Sequence, residues 1–222
     1  MSPGQIDWFP LWLSLRVAGL ATILAAVIGT AVAYALAEGR WRGRNVVESI
    51  ATLPLILPPT VLGFYLLVTL GRQSAIGVFI ERATGISLVF TWQGAVVAAV
   101  VPAIPYVIRT ARAAFEEVDI SVREAARIDG ASRFQQFLMV LLPLGRRGIA
   151  AGVALAFARA LGEFGATLMV AGNIPGRTQT MPIAIYDAVQ AGSYDLARIL
   201  VAILTVTALA VLLLVGRLGS HA

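Results

Sequence analysis

The sequence predicts an all-α membrane protein: one domain over residues 1–222, built as a polytopic bundle of about five transmembrane helices with a possible short sixth. Hydrophobic residues make up 59% of the chain and charged residues only 13%, about half of the roughly 25% typical of soluble domains. Several apolar runs are long enough to cross about 30 Å of hydrocarbon. Cysteine is absent, which excludes a disulfide scaffold.

Four uncharged apolar runs predict membrane spans, at 17–37, 50–70, 83–108 and 199–216. A fifth run, 148–176, is interrupted by Arg159 and Glu163 but is long enough to span. Segment 178–192 is short and contains Asp187, so we expect a re-entrant or interfacial helix there. The prolines in the second and third runs predict kinks or breaks, which are either packing irregularities or functional hinges: Pro54, Pro58, Pro59, Pro102 and Pro105.

The arginines indicate how the chain is oriented, since cytoplasmic loops are enriched in basic residues. With five spans, 11 arginines fall in segments 38–49, 109–147 and the tail from 217, 5 fall in the other loops, and the last is Arg159. This predicts an outer N-terminus and a cytoplasmic C-terminus in the inner membrane. Cleavage of the first span as a signal peptide is disfavoured, because its apolar run is too long and its charges follow it. The net charge of +5 therefore indicates sidedness rather than nucleic-acid binding.

The longest predicted cytoplasmic loop contains two helix-start signals. Ser121 and Glu124 are spaced as a capping box, which predicts a helix that ends at Gly130. Ser132 and Gln135 form a second box, starting a helix that runs to Pro143. Apolar residues on these two predicted helices require cover, either from a protein partner or from the membrane surface. Periodicity alone does not decide between these two alternatives.

One pattern in this loop carries a family resemblance. Glu124-Ala125-Ala126, Gly130, and Val140-Leu141-Leu142-Pro143 resemble the EAA loop of ABC importer permeases, with Val where the family has Ile. The resemblance implies a type I ABC importer permease fold with its core at about 11–217, and a coupling loop at 116–143 that docks on a separate ATPase subunit. The implied docking residues are Glu124, Ala125, Ala126, Gly130, Phe134, Leu142 and Pro143.

The chain lacks a phosphate-binding loop, and because it has no lysine it could not form one. If transport is ATP-driven, the ATPase must therefore be another polypeptide. The permease interpretation implies no catalytic residue, no metal site and no bound cofactor in this chain, with ATP and magnesium bound by the partner ATPase. The partners implied by the resemblance are a second permease copy, two ATPase subunits, an extracytoplasmic binding protein and membrane lipid.

Residues 159–180 resemble the corresponding region of molybdate importer permeases, whose close relatives carry sulfate and thiosulfate. The resemblance implies molybdate import, with tungstate or sulfate as alternatives. An ATP-independent transporter and an intramembrane enzyme are less favoured, the latter because the only histidine is His221 and cysteine is absent. The predicted pathway or gate residues are Arg159, Glu163, Thr167, Thr60, Asn173, Arg177, Thr178 and Gln179.

The four-residue spacing of Arg159 and Glu163 predicts an ion pair on one face of a helix inside the bundle. We favour a structural and gating role for this pair over direct contact with the transported anion.

Overall fold

The structure is a computed structural model that describes residues 6–38 and 42–220, with side chains described as far as residue 214. Every regular element in these residues is helical, which confirms the predicted all-α class. A short 3₁₀ turn (Leu53–Leu55) and a π-helical turn (Phe137–Leu141) connect neighbouring helices. The helices are α1 (Phe9–Glu38), α2 (Arg44–Thr52), α3 (Pro59–Leu70), α4 (Ala75–Thr84), α5 (Trp92–Glu116), α6 (Ile120–Ile128), α7 (Arg133–Gln136), α8 (Leu142–Leu144), α9 (Arg146–Leu161), α10 (Gly165–Ala171), α11 (Met181–Gln190) and α12 (Tyr194–Ser220).

The centre of the bundle is formed by α1, α5 and α9, which pack against one another through small residues. A Cβ atom added to Gly29 of α1 would lie 2.7 Å from Val107 Cβ of α5. One added to Gly152 of α9 would lie 2.2 Å from Thr110 Oγ1. Small residues at such contacts let helix backbones approach closely, which is a main source of helix association in membranes.

The third predicted span, 83–108, is wrong at both ends. Ala83 lies in the last turn of α4, and Gly85 ends that helix with a φ of 71°. The next long helix, α5, begins only at Trp92, where the Thr91 hydroxyl accepts a hydrogen bond from Gly94 N. The intervening loop is itself apolar, so hydropathy does not separate it from the helix. Pro102 and Pro105 lie within α5, which continues to Glu116.

Two predicted spans are broken helices: 50–70, the second span along the chain, and 148–176, the fourth along the chain. The run at 50–70 is divided between α2, with its 3₁₀ turn, and α3, and these two parts meet at 112°. The run at 148–176 is divided between α9 and the seven-residue α10, with Gly162–Phe164 between them. In the first case the proline pair Pro58-Pro59 explains the break, because proline removes backbone donors and clashes with the preceding turn.

Within the described residues, three helices are long and apolar enough to cross a membrane, namely α1, α5 and α12. The number rises to five if each of two bent pairs is one span; the second of these is Arg133–Leu144 with Arg146–Leu161, bent by 74°. The predicted five lies within this range. Segment 178–192 holds α11, whose 10 residues extend only about 15 Å, too short to span. Short helices also lie in the segments between the predicted spans, since α2 begins at Arg44 and α4 at Ala75.

Candidate coupling loop, gate and outer cavity

The coupling loop begins with α6, but its N-cap differs from the prediction. The residue that caps α6 is Asp119, whose Oδ1 accepts a hydrogen bond from Ser121 N at 2.8 Å. The predicted box of Ser121 and Glu124 is therefore wrong, because the helix starts one residue before Ser121. The hydrogen bonds from Ser121 lower the pKa of the Asp119 carboxyl, so the stabilisation from this charged cap is lost only when the pH falls through that lowered value.

The turn between α6 and α7 matches the prediction in detail. Gly130 adopts a φ of 81°, a left-handed conformation that costs glycine little and other residues more. The second capping box is confirmed: Ser132 Oγ accepts from Gln135 N, and Gln135 Oε1 accepts from Ser132 N at 2.8 Å. The two coupling helices are thus joined by a sharp turn whose geometry is fixed by local chemistry.

Contacts from distant parts of the chain hold the coupling loop against the bundle. Glu38, at the end of α1, pairs with Arg123 at 3.0 Å and with Arg127 at 3.7 Å. The Tyr34 hydroxyl donates to the carbonyl of Arg133 at 3.0 Å, and its ring packs 4.7 Å from that of Phe137. Sequence reasoning missed Glu38 and Tyr34, because each lies more than 80 residues from its partner.

A second ion-pair cluster lies at the same end of the bundle, between α2 and α5. Arg112 pairs with Glu48 at 2.5 Å and with Glu116 at 2.8 Å, and Arg44 also pairs with Glu116 at 3.0 Å. This cluster was not predicted, although the four-residue spacing of Arg112 and Glu116 was a readable signal for one of its pairs. It ties the bent second span to the long helix α5.

The outer surface of the coupling loop is exposed and partly apolar. Ile128 is 85% exposed, Phe134 67% and Met139 73%. Of the predicted docking residues, Ala126 and Leu142 are half-buried and the others are exposed: Glu124, Ala125, Gly130, Phe134 and Pro143. The structure thus places most of the predicted set on an accessible surface, and their role in docking stays a prediction.

The predicted pair of Arg159 and Glu163 forms, but on a different backbone from the one expected. Arg159 Nη1 lies 2.6 Å from Glu163 Oε2. Glu163 is not on the same helix; it lies in the break after Leu161, and its Oε1 accepts a hydrogen bond from Ala166 N of α10 at 2.8 Å. One buried carboxylate therefore connects the end of α9 to the start of α10.

The breaks in the second and fourth spans lie side by side. A Cβ added to Gly165, the first residue of α10, would lie 2.9 Å from Pro59 Cβ and 3.4 Å from Thr60 N at the start of α3. One turn further along, a Cβ on Gly63 would lie 2.7 Å from Met169 Cβ. The predicted pathway residue Thr60 is exposed beside this crossing, whereas Thr167 is buried on α10. The second parts of the two broken spans, α3 and α10, thus begin beside each other, next to the Glu163 carboxylate.

Three other predicted pathway residues stabilise the chain that follows α10. Gln179 Nε2 donates to Asn173 Oδ1 at 2.8 Å, and both amides donate to the carboxylate of Asp187 on α11. The buried Thr178 hydroxyl accepts from Ile174 N at 3.2 Å. The remaining predicted residue, Arg177, lies elsewhere, in a cavity it shares with Arg16. Asp187 was read from the sequence only as a reason to doubt a sixth span, and its role as an acceptor was missed.

The described residues contain no group of three or more metal-ligating side chains placed to hold a metal ion. The arrangement offers a hydroxyl beside two broken helices, an ion pair with a buried carboxylate, and an exposed helix pair.

Comparison with known proteins identifies the family. Residues 25–220 match the binding-protein-dependent transport system inner membrane components. The Escherichia coli K12 molybdenum transport system permease protein ModB is 43% identical over 184 residues, which are 83% of this chain and 80% of ModB. The Salmonella typhimurium LT2 sulfate transport system permease protein CysT is 32% identical over 234 residues, with 100% of this chain and 84% of CysT covered.

A solved structure shows the same fold. A bacterial ABC transporter involved in import of the acidic polysaccharide alginate superimposes with a TM-score of 0.78 at 17% sequence identity, covering 98% of this chain and 80% of that chain. This likeness confirms the predicted type I ABC importer permease fold. Because the family match spans most of the sequence and the fold agrees, the chain belongs to the binding-protein-dependent transport system inner membrane components, a family of multi-pass membrane proteins.

Proposed function

We propose that this chain is the membrane-spanning, non-catalytic subunit of an ATP-driven importer that translocates molybdate. The observation that supports this substrate is the 43% identity to ModB over 83% of the chain, against 32% to the sulfate permease CysT. ATP and magnesium are bound by a separate ATPase subunit. Two permease copies form the pathway, with two ATPase subunits on one side and a molybdate-binding protein on the other.

The ATPase subunits dock on the exposed surface of α6 and α7. Apolar side chains as exposed as Ile128 and Phe134 are costly on a surface that stays in water, and contiguous ones indicate a partner. The contacts of Glu38 and Tyr34 support a mechanical role, because they join this surface directly to the end of α1. A movement imposed on the coupling loop is then passed to the bundle as a rigid-body rotation.

The anion passes the point where α3 and α10 begin. A tetrahedral dianion needs donors but not a deep cationic site, which would trap it. The exposed Thr60, at the start of α3, supplies a hydroxyl and a backbone N–H, while Arg159 is neutralised by Glu163 at 2.6 Å. We propose that this ion pair holds the two halves of the fourth span in a closed gate. The N-terminus lies outside and the C-terminus in the cytoplasm.

The substrate is tested with the complete complex in proteoliposomes. ATP hydrolysis is measured with binding protein loaded in turn with molybdate, tungstate or sulfate, and uptake of each anion is followed in parallel. Stimulation and uptake with molybdate support the proposal. Uptake of sulfate alone would contradict it and favour the second candidate, a sulfate or thiosulfate permease, for which the match to CysT over the whole of this chain is the supporting observation.

The docking surface is tested by comparing two exposed phenylalanines. Phe134→Ser should weaken co-purification of the ATPase by about thirtyfold or more, the effect of losing one hot-spot side chain. Phe79→Ser is the matched control, since Phe79 is 71% exposed on α4 and lies outside the loop. Equal ATPase yields from both variants would contradict docking on this surface, and a wild-type permease that transports without any ATPase would support the ATP-independent alternative.

A further inference from the structure

A cavity of about 440 Å³ lies at the end of the bundle opposite the coupling loop. It is bordered by the first turns of α1, the start of α5 and the turn at 176–178. Two arginines from distant parts of the chain, Arg16 and Arg177, line it together. The Arg16 guanidinium is held in place by Trp92, with Cζ 3.7 Å from the ring centroid, a cation–π contact that limits its freedom.

The cavity is suited to an anion. No aspartate or glutamate is found among the described residues that line it. Neither Arg16 nor Arg177 forms an ion pair with any carboxylate in the described ranges 6–38 and 42–214. Gln93 adds an amide to the same wall. Paired guanidinium groups are effective ligands for phosphate, because they donate charge-assisted hydrogen bonds.

The surface below the cavity is apolar and exposed. Leu20, Ile23 and Val27 follow Arg16 along one face of α1, and Ile23 and Val27 are 62% and 67% exposed. The rise from Arg16 to Val27 is about 16 Å, which is about half of the 30 Å hydrocarbon core. The charged cavity therefore lies one leaflet's thickness above the level of Val27. Trp12 is exposed beside Arg16, as expected for an aromatic residue at the membrane interface.

We propose that this cavity binds the phosphate of a phospholipid from the leaflet on the side opposite the coupling loop, with one acyl chain lying along Leu20, Ile23 and Val27. A free oxyanion shares the headgroup's chemistry but leaves the adjoining apolar stripe uncovered. A second copy of this chain that presented the same cavity would not neutralise the arginines, because the described lining contains no aspartate or glutamate. The proposal is independent of which ion the permease transports.

The experiment uses the purified complex of permease and ATPase, stripped of lipid by detergent exchange. Native mass spectrometry counts the phosphatidylglycerol molecules that each complex retains as the lipid is titrated. The variant Arg16→Gln/Arg177→Gln should bind the tightest-held lipid about tenfold more weakly, equivalent to about 1.4 kcal/mol. The matched control, Arg72→Gln/Arg198→Gln, removes two exposed arginines outside the cavity and should bind as the wild type does.

Two further arms on the wild-type complex identify the source of the anion and do not depend on any variant. Diacylglycerol with the same acyl chains should bind more weakly than phosphatidylglycerol, and inorganic phosphate or molybdate at millimolar concentration should not displace the bound lipid. Equal retention of the two lipids would overturn the proposal, as would equal affinity of the two double variants. Displacement of the lipid by free oxyanion would assign the cavity to a soluble anion instead.

Discussion

Neutralising Arg159 alone should destabilise the permease more than neutralising Arg159 and Glu163 together. The Glu163 side chain is 1% exposed; its Oε2 lies 2.6 Å from Arg159 Nη1 in an ion pair, and its Oε1 accepts from Ala166 N at 2.8 Å. Arg159→Gln leaves this carboxylate charged without its main counter-ion. Breaking a buried pair in this way costs about 3–5 kcal/mol, and a lone charge in a transmembrane helix costs at least about 2.5 kcal/mol.

The double variant Arg159→Gln/Glu163→Gln should cost only about 1 kcal/mol, because a neutral amide oxygen can still accept from Ala166 N. Glu163→Gln alone should fall between the two. It leaves a charged Arg159, but that side chain is 25% exposed and can reach a polar region more easily than Glu163 can. The expected order of stability is wild type, double variant, Glu163→Gln, then Arg159→Gln.

The assay is reversible unfolding of the purified permease in mixed micelles, with free energies taken from the denaturant series. Arg112→Gln serves as the control for loss of an arginine, since its partners Glu48 and Glu116 are 41% and 43% exposed and exposed pairs contribute about 1 kcal/mol or less. Equal losses in Arg159→Gln and in the double variant would refute the reasoning, because they would show that Glu163 does not depend on Arg159 for its charge.

Three other substitutions test the loop and the helix crossing. Gly130→Val should cost about 1–2 kcal/mol, because a β-branched residue is strained at a φ of 81°; ATPase co-purification should fall, and Gly130→Asn, which tolerates this conformation, should retain it. Glu38→Gln removes the pairs with Arg123 and Arg127 and should lower the anions transported per ATP while the ATPase stays bound; an unchanged ratio would contradict the proposed transmission. Gly63→Leu, whose Cβ would lie 2.7 Å from Met169 Cβ, should cost at least about 1–3 kcal/mol in the same unfolding assay, and wild-type stability would show that the α3 and α10 crossing can open.

The features that sequence reasoning predicted well are those set by local chemistry. The turn at Gly130 and the box of Ser132 and Gln135 depend on residues within three positions of each other. A short stretch of sequence therefore contains all the residues that set this geometry. The same local reasoning failed for α6 because Asp119 and Ser121 are both good N-caps two residues apart. Nothing in the pattern decided between them.

The breaks in the second and fourth spans were harder to predict, because hydropathy measures how apolar a run is and not its direction. Pro58 and Pro59 indicated a break but not an angle of 112°. In the fourth run no proline lies between Arg159 and Glu163, and their spacing fits an unbroken helix equally well. Ending the helix at Leu161 frees Glu163 to bond Ala166 N and still reach Arg159, a choice made by tertiary contacts.

The arginines beside the coupling loop both add to the basic bias of the sequence and form ion pairs in the structure. Counted alone, Arg44, Arg112, Arg123 and Arg127 contribute to the bias from which the sequence predicts the orientation of the chain. In the structure each pairs with a glutamate at the same end of the bundle, Arg123 with Glu38 at 3.0 Å and Arg112 with Glu48 at 2.5 Å. Because orientation depends on basic residues while acidic ones contribute little, glutamates can be placed here without reversing the topology. The arginines from which the orientation is predicted can therefore also join the coupling loop and α2 to α1 and α5.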